Sequence, residues 1–459
     1  MELKKTKYLF FCGMIIFIFW TITTILLKNN VNPNIFNFIE GIELIIISLI
    51  VFFLFTLQED CFYVLPWFCF VPFVFSHPFN AVSTPIFLFI ALFISVLGAI
   101  IHLAIYKFKY QKGNLLWGLV TLGISLVLGG LFNKSTYSSM QIIISLIAVG
   151  AFIWFYIFLV STTKPINFND ICYLMISLSI ILLLQTYTFY FLEGNLFETF
   201  SHKNLDVGWG ISNNVALMLL SCMPFSFYLI FKNKQRILMI IIFFLQFTGI
   251  LFSYSRGCIF FAILGSICFL IISLVSKDLQ KKEKRNLLFS VLIYFVFLVC
   301  LFLSFNLLSP GFWNEFKRLT FGGIHFDSFN GRLEIYKELL SKSFNHPVFG
   351  HGILYPIINS SNSSYLWGHN TFLHTLYTLG IFGVLTLIFH FIEKYYCVIK
   401  KMNYEKFTLF LFFLLSDLYG LIDVSYFFIN YMIVLIVVFI LANNYFNKIR
   451  YSKNERNIK

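Results

Sequence analysis

Apolar runs of about 20 residues, the length a helix needs to cross the hydrocarbon of a bilayer, recur from one end of the chain to the other. Fourteen can be placed. The first seven are Tyr8–Leu27, Phe36–Leu57, Cys61–Phe75, Pro85–Tyr106, Leu115–Phe132, Met140–Val160 and Ile171–Phe191. The second seven are Gly210–Phe231, Ile237–Tyr254, Gly257–Ser276, Leu287–Leu308, Thr371–Phe391, Phe407–Ile422 and Val424–Tyr445. Inside lipid every backbone polar group must be satisfied within the segment, which leaves helices for runs of this length. The pattern predicts an all-α polytopic integral membrane protein, one membrane domain over 1–459 with about fourteen transmembrane helices. Composition excludes the soluble multidomain alternative. Apolar residues are 59% and charged residues 12% of the chain, against roughly 45–50% and about 25% in soluble domains.

The net charge of +13 reads first as an orientation signal. With both termini on the cytoplasmic side, the basic residues of the short loops fall inside, as they do at Lys107, Lys109 and Lys112 or at Lys232, Lys234 and Arg236. Nine of the 33 Lys and Arg remain outside. Removing the short, proline-bearing third span would reverse that bias for Lys107, Lys109 and Lys112, so the span is retained. Nucleic-acid binding is not needed to explain the charge. The first run carries no small-residue cleavage site and is read as a retained span rather than a signal peptide. No CxxC occurs, so neither a zinc site nor a disulfide framework is expected.

One connection is long. Residues 309–370 form a large extracytoplasmic loop, and loops of that length are usually functional or disordered. Gly331–Phe344 has apolar residues at Leu333, Tyr336, Leu340 and Phe344, with Leu339 beside them, which predicts an amphipathic helix capped by Asn330 and ended by Asn345-His346-Pro347. Asn359–Ser364 reads as a flexible linker.

Five of the nine outer cations lie in this loop, Arg332 among them, and Arg256 sits in a two-span turn. An Arg kept on the depleted side either snorkels to lipid headgroups or holds an anionic substrate group with its planar fork. Outer histidines can serve as bases near neutrality, and His369 opens a span with Asn370 beside it. His369 and His374 are five apart and do not form the i, i+4 pair of a helical zinc site. No phosphate-binding loop appears, which argues against nucleotide hydrolysis. The outer carboxylates show no metal-type pair, and Asp417, Glu40 and Glu43 are few for an ion-coupled transporter.

Three stretches resemble the O-antigen ligase/polymerase family. They are Ser253-Tyr-Ser-Arg-Gly257; Gly331-Arg-Leu-Glu-Ile-Tyr-Lys337 with His346-Pro-Val-Phe-Gly-His-Gly352; and Gly368-His-Asn-Thr-Phe-Leu373 with Leu379-Gly-Ile-Phe-Gly-Val384. A weaker fourth is Gly210-Ile-Ser-Asn-Asn214. The resemblance covers 210–384 and implies a GT-C-like membrane glycosyltransferase of the bacterial cytoplasmic (inner) membrane, acting at its outer face. It implies an undecaprenyl-pyrophosphate-linked oligosaccharide donor, a glycan or lipid A–core acceptor, no metal and no cofactor. A flippase and a chain-length regulator would be its partners. Residue by residue, Arg256 and Arg332 would contact the pyrophosphate, His369 would activate the acceptor hydroxyl, and Asn370 would border the substrate. His351 inside the Gly-x-Gly turn and the serine-rich insert depart from the family pattern.

Three rivals remain at this point. Polymerase and ligase differ only in acceptor. A lipid-linked oligosaccharide flippase would show related halves and a polar midplane path. A peptidoglycan glycosyltransferase of the shape–elongation–division family would rely on an outer Asp, for which Asp327 is the candidate.

Overall fold

The computed structural model describes residues 2–28, 33–75, 85–107, 109–132, 153–192, 203–232, 236–275, 280–308, 312–320, 332–352, 357–358, 364–365, 368–425 and 428–457. Asn330, Gly331, His325, Asp327, most of the serine-rich insert and the first half of the sixth predicted span lie outside those residues.

The chain is built from helices. In order they are α1 (Glu2–Lys28), α2 (Pro33–Leu57), α3 (Leu65–Phe70), α4 (Pro85–Ile105), α5 (Leu116–Phe132), α6 (Ile153–Thr162), α7 (Phe168–Leu192) and α8 (Ser212–Lys232). They continue as α9 (Arg236–Phe252), α10 (Arg256–Val275), α11 (Lys281–Leu308), α12 (Phe312–Thr320), α13 (Arg332–Ser343), α14 (Thr371–Ile399), α15 (Tyr404–Tyr419) and α16 (Ile429–Asn457). The strands among the described residues make two short antiparallel hairpins, β1 (Asp206–Val207) with β2 (Gly210–Ile211), and β3 (Ile357–Ile358) with β4 (Ser364–Tyr365). Nine helices among the described residues are long and apolar enough to cross a membrane. The protein is an all-α polytopic membrane protein.

Other predicted spans coincide with shorter apolar helices, among them Leu116–Gly129, Ile153–Thr162 and Arg236–Phe252, and two differ in form. The third is not one continuous helix: it is a 3-10 turn at Cys61–Tyr63, then α3, then a second 3-10 turn at Val71–Val74, with Pro66 and Pro72 in the first turns of the last two, where a missing N–H is tolerated. The twelfth is interrupted at Gly380, whose φ of 69° no helix accommodates, so α14 is two half-helices meeting at that residue.

Two compact units are distinguished. Unit 1 comprises Met1–Leu57, Val64–His102 and Asn169–Ile324. At its centre α8 is buried along nearly its whole length, and Gln246 of α9 joins Ser226 of α8 to Ser179 of α7 through buried hydrogen bonds of 3.0 and 2.9 Å. Helix α11, by contrast, exposes a continuous apolar surface that includes Phe289, Leu292, Phe295 and Leu303. The β1–β2 hairpin lies against residues 72–75 so closely that a Cβ on Gly208 would fall 1.8 Å from the Phe75 carbonyl, which requires glycine there.

Unit 2 comprises Gln58–Tyr63, Leu103–Phe168 and His325–Lys459. Here α14 packs on α5, and Lys394 of α14, fully buried, pairs with Asp417 of α15 at 2.6 Å while Tyr395 donates to the same carboxylate oxygen at 2.7 Å. Lys394 is thus a buried ion-pair member. Helix α13 occurs where the periodicity predicts it, but its packed face differs. Ile335 and Leu339 are its buried apolar residues and meet Leu373 and Tyr377 of α14. Leu333, Leu340 and Phe344 are 46%, 46% and 74% exposed. The helix carries apolar residues on two sides, and spacing alone does not say which side meets protein.

Candidate active site

The break in α14 shapes the site. Where helical hydrogen bonding lapses, the segment after α13 supplies replacements on both sides of Gly380. The amides of His351 and Gly352 donate to the carbonyls of Tyr377 and Thr378 at 2.9 and 2.6 Å. The amides of Ile381 and Phe382 donate to Pro347 and Val348 at 2.8 and 3.1 Å. Irregular backbone in a membrane helix is tolerated only when its polar groups are paired in this way. The approach is backbone to backbone: a Cβ on Gly350 would lie 2.3 Å from the Thr378 carbonyl carbon, and one on Gly380 2.3 Å from the Val348 oxygen. The His-Pro-Val-Phe-Gly-His-Gly stretch is therefore a clasp that fastens the end of α13 to the middle of α14. Within it His351 stacks on Tyr377, its ring centroid 4.4 Å away, and burial, its main influence, lowers its pKa.

At the N-terminus of α14, Asn370 is the cap: its Oδ1 accepts from the Leu373 amide at 3.0 Å, and its Nδ2 donates to the Leu421 carbonyl at 2.9 Å. The Thr371 amide donates to the Gly420 carbonyl at 2.8 Å. These bonds fasten the start of α14 to the turn between α15 and α16, and that turn carries Asp423. His369, with φ at 49°, is held in the left-handed region that non-glycine residues seldom adopt. Its Nδ1 lies 3.2 Å from Asp423 Oδ1. An ionised carboxylate can only accept, so Nδ1 is the donor and Nε2 of a neutral ring is left as a base.

Asp423 is built to be ionised. Burial pushes its carboxyl up, but the hydrogen bond and charge of His369, the Val424 amide at 2.8 Å and the Arg332 guanidinium outweigh it and hold the group below the usual carboxylate value. Tyr336, one turn after Arg332 on α13, donates its hydroxyl to the His369 carbonyl at 2.6 Å. Burial pushes the Tyr336 phenol up, against a downward pull from Arg332 and with a further upward push from Asp423. Arg332 thus acts on both Tyr336 and Asp423, the two residues bonded to the backbone and the ring of His369 in unit 2. This constellation combines a permanent cation, an oriented imidazole and a buried carboxylate, the components of a base working beside an anion.

Sequence reasoning brings out Arg332, His369 and Asn370 but misses two partners. In the sequence Asp423 stands only as the separator of the last two spans, and Tyr336 only as an apolar stripe member. A usable signal exists for Asp423, since the span count puts its turn on the same side as His369.

Arg256 belongs to unit 1. The Ser253-Tyr-Ser-Arg motif turns the chain from α9 into α10 through Tyr254, whose φ is 54°, and Ser255 accepts the first helical bond from the Ile259 amide at 2.9 Å. The Tyr254 ring is buried edge-on to Phe316 of α12. Arg256 Nη2 donates to the Arg318 carbonyl in the last turn of α12 at 3.2 Å. Among the described residues no group of three or more His, Cys, Asp or Glu side chains could hold a metal ion.

Residues 241–388 match the O-antigen ligase family, Wzy_C. The matched stretch runs from α9 into the second half of α14 and contains Arg256, Arg332 and His369; Asp423 lies beyond it. No curated protein matches the chain. The match supports a glycan-processing function of O-antigen ligase/polymerase type, a glycosyltransferase-like enzyme, in a multi-pass membrane protein with glycan substrates.

Proposed function

We propose that the protein is a metal-independent, inverting glycosyltransferase of the bacterial inner membrane that polymerises undecaprenyl-pyrophosphate-linked repeat units of an O-antigen or capsule at the outer face. The observation that supports it is the His369–Asp423 pair with Arg332 within electrostatic reach, at the start of a membrane helix. In this reading the acceptor hydroxyl gives its proton to His369 Nε2 as its oxygen bonds to the donor's anomeric carbon. The bond from that carbon to the pyrophosphate oxygen breaks, and undecaprenyl pyrophosphate leaves with the electron pair. Arg332 stabilises the charge growing on that oxygen. One displacement inverts the anomeric centre. Asp423 fixes the imidazole tautomer and stabilises the imidazolium. Asn370 has committed one of its two lone pairs and one of its two N–H groups to the fold, which leaves polar capacity toward the acceptor. For Arg256 the motif resemblance carries the pyrophosphate assignment. About fourteen spans with both termini inside, a flippase and a chain-length regulator complete the proposal.

The family's description favours a second reading, an O-antigen ligase that transfers glycan to lipid A–core. Purified full-length protein in liposomes, given lipid-linked repeat units with each acceptor separately, decides between them. A ladder of lipid-linked glycan is the expected result. Transfer to lipid A–core alone makes the protein a ligase. Translocation of the donor without glycosidic bond formation would make it a flippase and overturn both readings.

A further inference from the structure

We infer that Tyr336 is the positioning residue for His369, its hydroxyl locking the base's left-handed turn to the helix that carries Arg332. The inference rests on the glycosyltransferase reading above and concerns how its base is aimed.

Three observations carry it. His369 is one of three described non-glycine residues with positive φ, a strained conformation that persists only where its surroundings fix it. The Tyr336 hydroxyl bonds the carbonyl of that same residue at 2.6 Å, across a separation of 33 residues. Arg332 and Tyr336 are four apart on α13 and share a face, so one hydrogen bond sets the height of the cation against the height of the imidazole.

The ring of Tyr336 is not what docks α13. That work falls to Ile335 and Leu339 against Leu373 and Tyr377. The hydroxyl can therefore be removed while the helix stays seated. Tyr336 is also a poor choice as the base itself, since its proton is committed to the His369 carbonyl and burial raises its pKa. Asp423 fixes the ring of His369 and Tyr336 fixes its backbone. Losing the second leaves the ring free to swing about the first.

The test is Tyr336→Phe in full-length protein, reconstituted in liposomes with an undecaprenyl-pyrophosphate-linked repeat unit as donor. The expected result is a kcat lower by about tenfold, with donor KM within about twofold and a melting temperature lower by only the few degrees that one lost hydrogen bond accounts for. Combined with Asp423→Asn, the two losses should be less than multiplicative, because both act through one imidazole. Tyr336→Leu, which likewise offers no hydrogen-bond donor, should behave like Tyr336→Phe. A wild-type kcat in either variant, a KM rise that accounts for the whole loss, or fully multiplicative losses overturns the inference. His369→Ala run alongside separates the failures. If His369→Ala is active, the base assignment itself is wrong. If it is inactive while Tyr336→Phe is fully active, only the positioning role is lost.

Discussion

In unit 2 the charge of Arg332 acts on Tyr336 and Asp423, which are bonded to the backbone and the ring of His369, whereas in unit 1 Arg256 donates to a carbonyl in the last turn of α12. The first arrangement joins side chains that titrate, polarise and transfer protons. The second joins a cation to the negative end of a helix, where it is favourable without any substrate. Two arginines that look alike in the sequence thus differ in what their loss should do. Replacing the first removes an electrostatic partner; replacing the second removes an anchor as well.

The sharpest way to break this contrast is at the base. His369→Ala should lower the transfer rate by about 10³-fold, and Asp423→Asn, which keeps the shape but lets the ring take the wrong tautomer, by about 10²-fold. Initial rates of glycan elongation measure both. A rate for Asp423→Asn within about threefold of wild type would make the pair a structural contact only.

Lys394 and Asp417 test whether a wired pair implies chemistry. They are bonded at 2.6 Å, with Lys394 on the same helix as the His369 site and its ammonium 4.2 Å from the Phe391 ring centre. Lys394→Ala leaves a largely buried carboxylate without its counter-charge, held by Tyr395 alone, and should destabilise the fold by about 3 kcal/mol. The double replacement Lys394→Met with Asp417→Leu should restore most of the melting temperature and with it the activity. Stability without activity in the double variant would move this pair into the reaction.

The arginines come next. Arg332→Ala should lower kcat/KM by about 10²-fold with only a slight fall in melting temperature, from its lost influence on Asp423. Arg256→Ala should lower the melting temperature too, by the equivalent of about 1 kcal/mol, because a charged hydrogen bond to α12 is lost. Equal thermal effects would erase the distinction between the two surroundings.

How far the sequence reaches follows from which physical signals it encodes locally. Apolar runs of bilayer length are visible to any window, so the nine long apolar helices among the described residues are legible, and α13 ends within a residue of its expected limits. The buried side of α13 is not legible, because Leu333, Leu340 and Phe344 form as good a stripe as Ile335 and Leu339, and only the location of Tyr377 chooses between them. The break at Gly380 is invisible for a related reason: its cause is a segment some thirty residues earlier whose amides and carbonyls replace the helical ones. His369 can be singled out from its place before a span. Asp423 cannot be paired with it without knowing that Thr371 bonds Gly420 and brings the two turns together. Motif glycines at 350 and 380, read as part of a resemblance, turn out to be places where one backbone passes too close to another for any Cβ.

The smallest expected effect is one of pH, and its sign follows from Asp423. Burial would raise this carboxyl, but His369, the Val424 amide and Arg332 together lower it below the ordinary value of 3.8. A group held down in the folded state contributes stability that is complete above its unfolded pKa and is lost as the pH falls through its folded one. The difference in melting temperature between wild type and Asp423→Asn should therefore persist down to about pH 4 and close only below that. In Arg256→Ala the closing should occur at the same pH, since no influence of Arg256 on Asp423 is among those that lower it. In Arg332→Ala it should move upward by a fraction of a unit, because one of the charges favouring the ionised form is gone. Melting curves from about pH 3 to about pH 8 for the three backgrounds measure this directly, and identical shifts for both arginines would show that Arg332 is no more coupled to the carboxylate than Arg256 is.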